Sequence, residues 1–187
     1  NSGGGSVYAS EIIRERLAEL RKAGLPIVMS LGSVAASGGY YIATASDRIL
    51  ATPATVTGSI GVFAAFPTFD RLLARGGIYA DGVATTPLAG GLRPDRPLDP
   101  AIADVLQQSV DAIYEDFLSL VADSRGIARA DLDAVAEGRV LSAQQALTAG
   151  LVDSLGGLED ATRVAAELAG LEEGSYEVIS MKPAVSP

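Results

Sequence analysis

The stretch SVAASGGYYIATA, residues 33–45, places a serine and two glycines at the start of an apolar helical segment. A serine at a helix N-terminus lies beside free backbone N–H groups and a partial positive charge. Glycines after the serine allow a substrate carbonyl to come close to those N–H groups. Ser37, followed by Gly38 and Gly39, therefore has the geometry of a nucleophile beside an oxyanion hole, although a plain N-cap serine fits the same pattern.

The composition leaves this serine without a conventional base. The chain contains no histidine and no cysteine, which excludes a Ser–His–Asp triad, a cysteine nucleophile, thiolate metal sites and disulfides. Asp47, Asp70 and Asp81 are carboxylates of the kind that normally serve a histidine. Tyr40 and Tyr41 have high phenol pKa values, which suit packing or hydrogen bonding better than proton abstraction.

Length and charge predict one acidic globular domain over residues 1–187. The net charge is −9, with 48% hydrophobic and 20% charged residues. An acidic chain without a basic stripe disfavours nucleic acid as a partner. No apolar run reaches the length of a membrane span. The opening residues NSGGGS form a glycine cluster of the kind that follows a strand, so we expect a strand ahead of it.

Hydrophobic periodicity alternates between strands and helices, which predicts an α/β fold with largely parallel pairing. Helices are predicted over 6–26, 37–45, 69–77, 100–125, 129–138, 142–150 and 158–170. Strands are predicted over 26–31, 48–52, 59–63, 78–85 and 175–181, with a loop at 32–36 and a turn at 53–58. The buried stripe of the long helix is predicted to consist of Ile102, Val105, Leu106, Ile113, Phe117 and Val121.

Two further motifs are open to a functional and a structural interpretation. NSGGGS, residues 1–6, can present backbone N–H groups to an oxyanion or can be a plain strand-to-helix turn. It is not a P-loop, because no Gly-Lys-Ser/Thr follows. In TGSIGVF, residues 57–63, Ser59 either caps a tight turn or orients a partner in the site.

These motifs occur together in an order and spacing that resemble the signal peptide peptidase A (SppA) family. The resemblance is carried by NSGGGS, VAASGGYYIATASDRILATP, TGSIGVF and LSAQQALTAGLVDSLGG. DGVATTPLAG, residues 81–90, resembles the carboxy-terminal half of the long, two-repeat bacterial form. The resemblance implies a ClpP/crotonase-like fold with repeated β-β-α units and flanking helices.

The resemblance also implies an activity and a setting. Family members are serine endopeptidases of the Ser–Lys dyad type that degrade released signal peptides or other membrane-associated peptides. They assemble into homo-oligomeric rings or domes at the bacterial inner membrane, which would place this domain on the periplasmic or extracytoplasmic side. No metal or organic cofactor is implied.

By position, the resemblance makes Ser37 the nucleophile. The N–H groups of Gly4 and Gly38 would form the oxyanion hole, and Ser59 would orient the lysine. Gly3 stands where the family usually has proline, which leaves the turn before Gly4 less restricted.

The family's lysine has no counterpart in this chain. The two lysines present, Lys22 and Lys182, do not match it, and Ala89 occupies the position that carries it in single-domain members. In the two-repeat form the lysine lies in the amino-terminal repeat. We therefore expect the general base to come from another domain or chain, namely an amino-terminal SppA repeat.

Substrate contacts are expected after Ser59. Residues 59–63 are a candidate edge for an extended peptide, and Val62 and Phe63, with Phe66 and Phe69, are candidates for a specificity pocket. The segment FPTFDRLLARGG, residues 66–77, is a candidate contact with a membrane or a neighbouring subunit. Two other classes remain open: a crotonase-like acyl-CoA enzyme, and a non-catalytic scaffold repeat.

Overall fold

The computed structural model describes residues 1–86 and 88–181, which form two compact units. The first unit contains residues 1–61 and the described residues from Phe117 onward, and the second contains Val62–Asp116. The single domain over residues 1–187 stays a prediction. Within the described residues, no helix is both long and apolar enough to span a membrane.

Helices and strands alternate along the described chain. The helices are α1 (Val7–Lys22), α2 (Gly38–Ala43), α3 (Asp70–Arg75), α4 (Pro100–Arg125), α5 (Arg129–Leu132), α6 (Ala143–Thr148) and α7 (Leu158–Leu168). The strands are β1 (Val28–Leu31), β2 (Val34–Ala36), β3 (Arg48–Ala51), β4 (Val56–Gly58), β5 (Val140–Ser142) and β6 (Ser154–Leu155).

Two three-stranded sheets organise the first unit. One has the order β1-β3-β6 and is parallel throughout; the other has the order β2-β4-β5, with β2 parallel and β5 antiparallel to β4. Ser2 adds a parallel bridge to Ala35 of β2. The order β1–β2–α2 followed by β3–β4–α3 repeats a β-β-α unit, so the predicted α/β class and its repeated unit are confirmed.

Two buried threonines at the start of β4 hydrogen-bond to the chain around β1 and β2. The Thr55 hydroxyl donates to the carbonyl oxygens of Leu31 (3.2 Å) and Gly32 (2.6 Å), where the chain leaves β1. The Thr57 hydroxyl donates to the carbonyl oxygen of Ala35 in β2 over 2.6 Å. Both threonines are almost fully buried, so these hydrogen bonds satisfy hydroxyls that would otherwise destabilise the core.

The core of the first unit surrounds β3. Its fully buried side chains come from β3, from α2, from the end of α4 and from the link after α6. In that order, they include Ile49 and Leu50, Tyr40, Leu118 and Val121, and Leu151 and Val152. The Tyr40 hydroxyl donates to the carbonyl oxygen of Leu151 over 2.7 Å, so the one polar atom of that side chain is satisfied. The buried core therefore holds α2 firmly behind the nucleophile candidate that precedes it.

Several predicted boundaries are wrong. The predicted loop 32–36 contains β2, because Val34–Ala36 pairs with Ser2 on one side and with β4 on the other. The predicted turn 53–58 contains β4, and no strand forms over 59–63, because Ser59 adopts a positive φ of 50° and ends the pairing with β2. Short strands such as these depend on pairing partners more than on intrinsic propensity.

Two other predicted strands do not form, and one predicted core residue of the long helix is exposed. Residues 78–85 and 175–181 form no strand; Tyr79 and Val83 are exposed, so burial does not stabilise the first of these segments. Val105, placed in the buried stripe of the long helix, is 51% exposed, whereas Ile102, Phe117 and Val121 are buried as predicted. The predicted capping box at the start of α6, formed by Ser142 and Gln145, is confirmed.

An ion pair fastens the end of α4 to the strands. Arg125 forms two hydrogen bonds to Asp153 (2.9 and 3.1 Å) and a third to the carbonyl oxygen of Gly150 (2.9 Å). The Asp153 carboxylate also accepts the N–H of Ile49 over 2.7 Å. Burial alone would raise the pKa of Asp153, but the hydrogen bonds from Arg125 and Ile49 outweigh it and hold the pKa below its ordinary value.

We predict that Asp153→Asn lowers the free energy of unfolding by about 1–3 kcal/mol, because it removes a charge-assisted pair and weakens the bond to Ile49. The ionised carboxylate stabilises the fold above its unfolded-state pKa of about 3.9, and this contribution is lost as the pH falls through the lower folded-state pKa. Urea unfolding from pH 7 to below the folded-state pKa of Asp153 should therefore show the two proteins converging at the acid end. The matched control is Asp133→Asn, in an exposed pair with Arg129. An equal effect at both positions would contradict the prediction.

Candidate active site

The candidate site lies where three neighbouring strand segments end. Ser2 pairs with β2 through hydrogen bonds from its N–H to the Val34 carbonyl (2.8 Å) and from the Ala36 N–H to its own carbonyl (3.0 Å). The Ser37 N–H donates to the carbonyl oxygen of Gly58, the last residue of β4, over 2.9 Å. The residues that follow these parallel segments include Gly4, Ser37 and Ser59. They therefore emerge together at the carboxyl ends of the strands, along one edge of the sheet.

Ser37 occupies the N-cap position of α2 in a strained conformation. Its φ of 52° and ψ of −121° lie in a region that residues with a side chain rarely adopt. Its side chain is half-buried and makes no capping bond, and no partner for its hydroxyl is found in the part of the chain that the structure describes. The plain N-cap interpretation requires such a bond, so the geometry disfavours it.

Gly4 lies directly against Ser37 and Gly38. A Cβ atom placed on Gly4 would come within 2.7 Å of the Ser37 Cβ and 3.0 Å of the Gly38 nitrogen, and the φ of Gly4 is 101°. A Cβ atom on Gly38 would lie 3.4 Å from the Gly4 Cα. Both positions therefore require glycine, because their backbones are in contact.

The two backbone N–H groups differ in their present partners. The Gly4 N–H donates to the Ser2 hydroxyl over a long 3.3 Å. No acceptor for the Gly38 N–H is found among residues 1–86 and 88–181, as expected at the first position of a helix. Within the described residues, the Gly38 N–H is thus a free donor and the Gly4 N–H is only weakly engaged.

Ser59 is the second strained serine at this edge. It has a φ of 50° and is half-buried, and its N–H donates to the Arg139 carbonyl over 2.7 Å. Its hydroxyl has no partner within the described residues. Since Ser59 directly follows Gly58, which is bonded to Ser37, the structure places the two serines on adjoining segments.

Helix α1 lies against α2 beside these glycines. Ser10 is buried, and a Cβ atom on Gly38 would come within 2.5 Å of the Ser10 hydroxyl oxygen. Further along, burial raises the pKa of Tyr41 to about 12, and the neighbouring Glu11 carboxylate acts in the same direction. The hydrogen bond from Arg14 outweighs burial and lowers the pKa of Glu11. Sequence reasoning missed Ser10, because a serine inside a helical stretch carries no distinctive signal.

Two of the other candidate bases, Asp47 and Tyr40, are engaged elsewhere. Asp47 accepts the Arg21 side chain (2.6 Å) and the Ile27 N–H (2.9 Å), one on each carboxylate oxygen. Burial raises the pKa of Tyr40 well above its ordinary range, and its hydroxyl is bonded to Leu151. Asp70 and Asp81 belong to the second unit.

Within the described residues, no lysine lies beside Ser37. Lys22 is exposed at the last residue of α1, twelve residues beyond Ser10, which corresponds to about 18 Å along a helix. Lys182 lies outside the described residues. Within residues 1–86 and 88–181, no cluster of carboxylates is suited to hold a metal ion.

Val62 and Phe63 begin the second compact unit. They line a cavity of about 440 Å³ together with residues that are mostly apolar and come from the same unit: Ala64, Phe66, Leu98, Ala103, Leu106, Gln107 and Val110. Phe69, which directly precedes α3, does not line this cavity. Their role in substrate binding stays a prediction.

Solved structures similar to this chain have low sequence identity to it. An enoyl-CoA hydratase/isomerase from Mycobacterium abscessus is 19% identical, with a TM-score of 0.47, covering 87% of this chain and 46% of that one. An enoyl-CoA hydratase from Bacillus anthracis is 18% identical, with a TM-score of 0.43, covering 87% of this chain and 46% of that one.

Relatives with higher identity are proteases. Protease 4 of Salmonella typhi is 44% identical over 99% of this chain and 30% of its own length. Protease 4 of Haemophilus influenzae is 41% identical over 90% of this chain and 27% of its own length. Serine protease SPPA, chloroplastic, of Arabidopsis thaliana is 34% identical over 91% of this chain and 25% of its own length. The chain thus spans less than a third of the length of these relatives.

The comparison with family models covers most of the chain. The model described as peptidase family S49 matches residues 19–172, which include Ser37 and Ser59. Together with the protease relatives, this match confirms the resemblance found in the motifs. The chain belongs to peptidase family S49.

Proposed function

We propose that the chain is the nucleophile-bearing part of a serine endopeptidase of the Ser–Lys dyad type. The observation that carries this proposal is the placement of Ser37: a half-buried, strained serine with a hydroxyl unbonded in the described residues, against the backbones of Gly4 and Gly38. Strain at a residue with this chemistry is typical of nucleophiles held on a sharp strand-to-helix turn. Membership of peptidase family S49 supports the reaction class.

In the proposed mechanism the Ser37 oxygen attacks the carbonyl carbon of a peptide bond, and its proton passes to a neutral lysine amine. The carbonyl oxygen becomes negative and accepts hydrogen bonds from the N–H groups of Gly38 and Gly4, replacing the Ser2 hydroxyl at the latter. The lysine then returns the proton to the departing amine, which leaves an ester on Ser37. A water molecule hydrolyses this ester by the same proton transfers.

The lysine in this proposal comes from another domain or chain, which we identify with an amino-terminal SppA repeat. A lysine is a base near neutral pH only when burial lowers the pKa of its ammonium group, and docking of a second domain excludes water. Ser59 orients the lysine in this scheme, because its hydroxyl is unpartnered in the described residues and lies on the segment beside Ser37.

The proposed substrates are released signal peptides or other membrane-associated peptides. An extended peptide would add as a strand along residues 59–63, where the N–H of Ser59 and the carbonyl of Ile60 already bond to Arg139 and Gly138. We retain Val62 and Phe63 as proposed contacts for apolar side chains. A homo-oligomer at the extracytoplasmic face of the bacterial inner membrane completes the proposal, following the family resemblance.

The first test concerns the nucleophile. In the natural full-length protein, Ser37→Ala should abolish labelling by a fluorophosphonate probe and lower peptide cleavage by about 10³-fold or more, because the attacking oxygen is removed. Ser33→Ala, at an exposed serine between β1 and β2, is the matched control and should leave both unchanged. An active Ser37→Ala protein would favour the acyl-CoA alternative, and a wild-type protein that is never labelled would favour a scaffold.

The second test concerns the base. We expect the 187-residue chain alone to retain less than about a hundredth of the full-length activity, because a general base contributes roughly 10²–10⁴-fold. Circular dichroism should first establish that the isolated chain is folded. Addition of the amino-terminal repeat should restore cleavage, and replacement of that repeat's lysine by methionine should remove it. Substantial Ser37-dependent hydrolysis by the isolated chain would refute the shared site.

The third test concerns the oxyanion hole. Gly4→Ala should lower kcat by about 10²-fold or more, because a Cβ atom there displaces Ser37 and the Gly38 N–H. Gly3→Ala is the matched control, since a Cβ atom on Gly3 meets nothing within 4 Å. Steady-state kinetics and melting temperatures for both variants distinguish an effect on the site from a general loss of stability. Similar kcat values for the two variants would argue against a role for Gly4.

A further inference from the structure

Ser10 is the one residue of α1 that the fold buries. Its side chain is 6% exposed, whereas the apolar Ile12, Ile13 and Leu20 of the same helix are 41–47% exposed. A helix that packs for hydrophobic reasons alone would bury its isoleucines and leave its serine in solvent. The burial of Ser10 therefore reflects a close approach of α1 to something that tolerates only a small side chain.

The neighbour of Ser10 is the backbone of Gly38. A Cβ atom on Gly38 would stand 2.5 Å from the Ser10 hydroxyl oxygen, which places that oxygen against the Gly38 Cα. The same Cβ position lies 3.4 Å from the Gly4 Cα and from the Gly5 nitrogen. Ser10 thus lies where the backbone of Gly38 approaches the backbone of Gly4 and Gly5.

The Ser10 side chain is also fixed to the turn that carries Gly4. Its hydroxyl donates to the carbonyl oxygen of Ser6 over 3.0 Å, and Ser6 is the N-cap of α1, with its own hydroxyl accepting the Ala9 N–H. Ser6 directly follows Gly5 in the chain. The Ser10 hydroxyl is therefore hydrogen-bonded at the start of α1, just after the glycine turn, while it contacts the Gly38 backbone.

We infer that Ser10 is a positioning residue for the oxyanion hole, setting the distance between the N–H groups of Gly4 and Gly38. This inference rests on the proposed function. An oxyanion hole acts only when its donors are held where the negative oxygen develops, and small displacements of such groups lower the rate strongly. Ser10 acts through the two backbones and contacts no reacting atom.

The test compares Ser10→Ala and Ser10→Val in the natural full-length protein. The alanine removes the hydroxyl that lies between the Ser6 carbonyl and the Gly38 backbone, and the valine adds bulk against Gly38. Both variants should lower kcat by about tenfold, with KM within about twofold, because the misplaced donors meet the oxyanion only in the transition state. Inhibition by a peptide boronate, whose tetrahedral oxygen occupies the hole, should weaken by a similar factor.

Ser124→Ala and Ser124→Val are the matched controls. Ser124 is a half-buried helical serine in α4 that also bonds back to a carbonyl of its own helix, that of Val121 (3.3 Å). These variants should leave kcat and boronate inhibition unchanged, whatever their melting temperatures. If Ser10→Val does not fold, Ser10→Ala decides, since it introduces no new atom.

The outcomes separate the two proposals. Wild-type cleavage that disappears in Ser37→Ala, together with Ser10 variants that retain full kcat and boronate affinity, would overturn the role of Ser10 alone. Losses that follow melting temperature equally at positions 10 and 124 would overturn it as well. A wild-type protein without Ser37-dependent activity would overturn the proposed function and this inference together.

Discussion

The candidate site depends on one contact, the approach of the Gly4 backbone to Ser37 and Gly38 without space for a Cβ atom. The contact joins two segments that are distant in sequence, one entering α1 and the other entering α2. It brings the segment ahead of α1 against the first residue of α2, whose N–H has no acceptor within the described residues. A Cβ atom at Gly4 or Gly38 would push the two segments apart. The chemistry proposed for the site therefore requires glycine at both positions.

The rest of the first unit holds this contact in place. The pairing of Ser2, β2 and β4 brings three chain segments to one edge of the sheet, and the hydroxyl of Thr57 locks β4 to β2. Behind them, the buried ring of Tyr40 anchors α2 to the link after α6 through Leu151. The backbone at Ser37 and at Ser59 is strained. Such strain persists only where many surrounding contacts hold the backbone in place.

The sequence indicated candidate site residues more clearly than it indicated the short strands around them. Serine and glycine at positions 37 and 38, and the glycines near position 4, stand out because few residue types suit a nucleophile beside free N–H groups. Long elements with clear periodicity, such as α1 and α4, were also predictable. The short strands β2 and β4 were not, because three residues contain too little pattern and their pairing is set by partners elsewhere in the chain.

Ser10 shows a different limit of sequence reasoning. Its neighbours Ile12 and Ile13 have the spacing of a buried helix face, yet the fold buries the serine instead. The reason is the glycine at position 38, which lies 28 positions further along the chain and becomes a neighbour only after α1 and α2 have docked. No local window contains both partners of this contact.

The parallel topology also bears on when the site forms as the polypeptide folds. Parallel pairs such as β2 with β4 require closure of intervening loops, and the bond from Ile49 to Asp153 spans 104 residues. Contacts at such separations form slowly, because the entropy of loop closure opposes them until the whole sheet assembles. A nascent or partly unfolded chain therefore lacks the contact of Gly4 with Ser37 and Gly38, which requires Ser2 to be paired with β2.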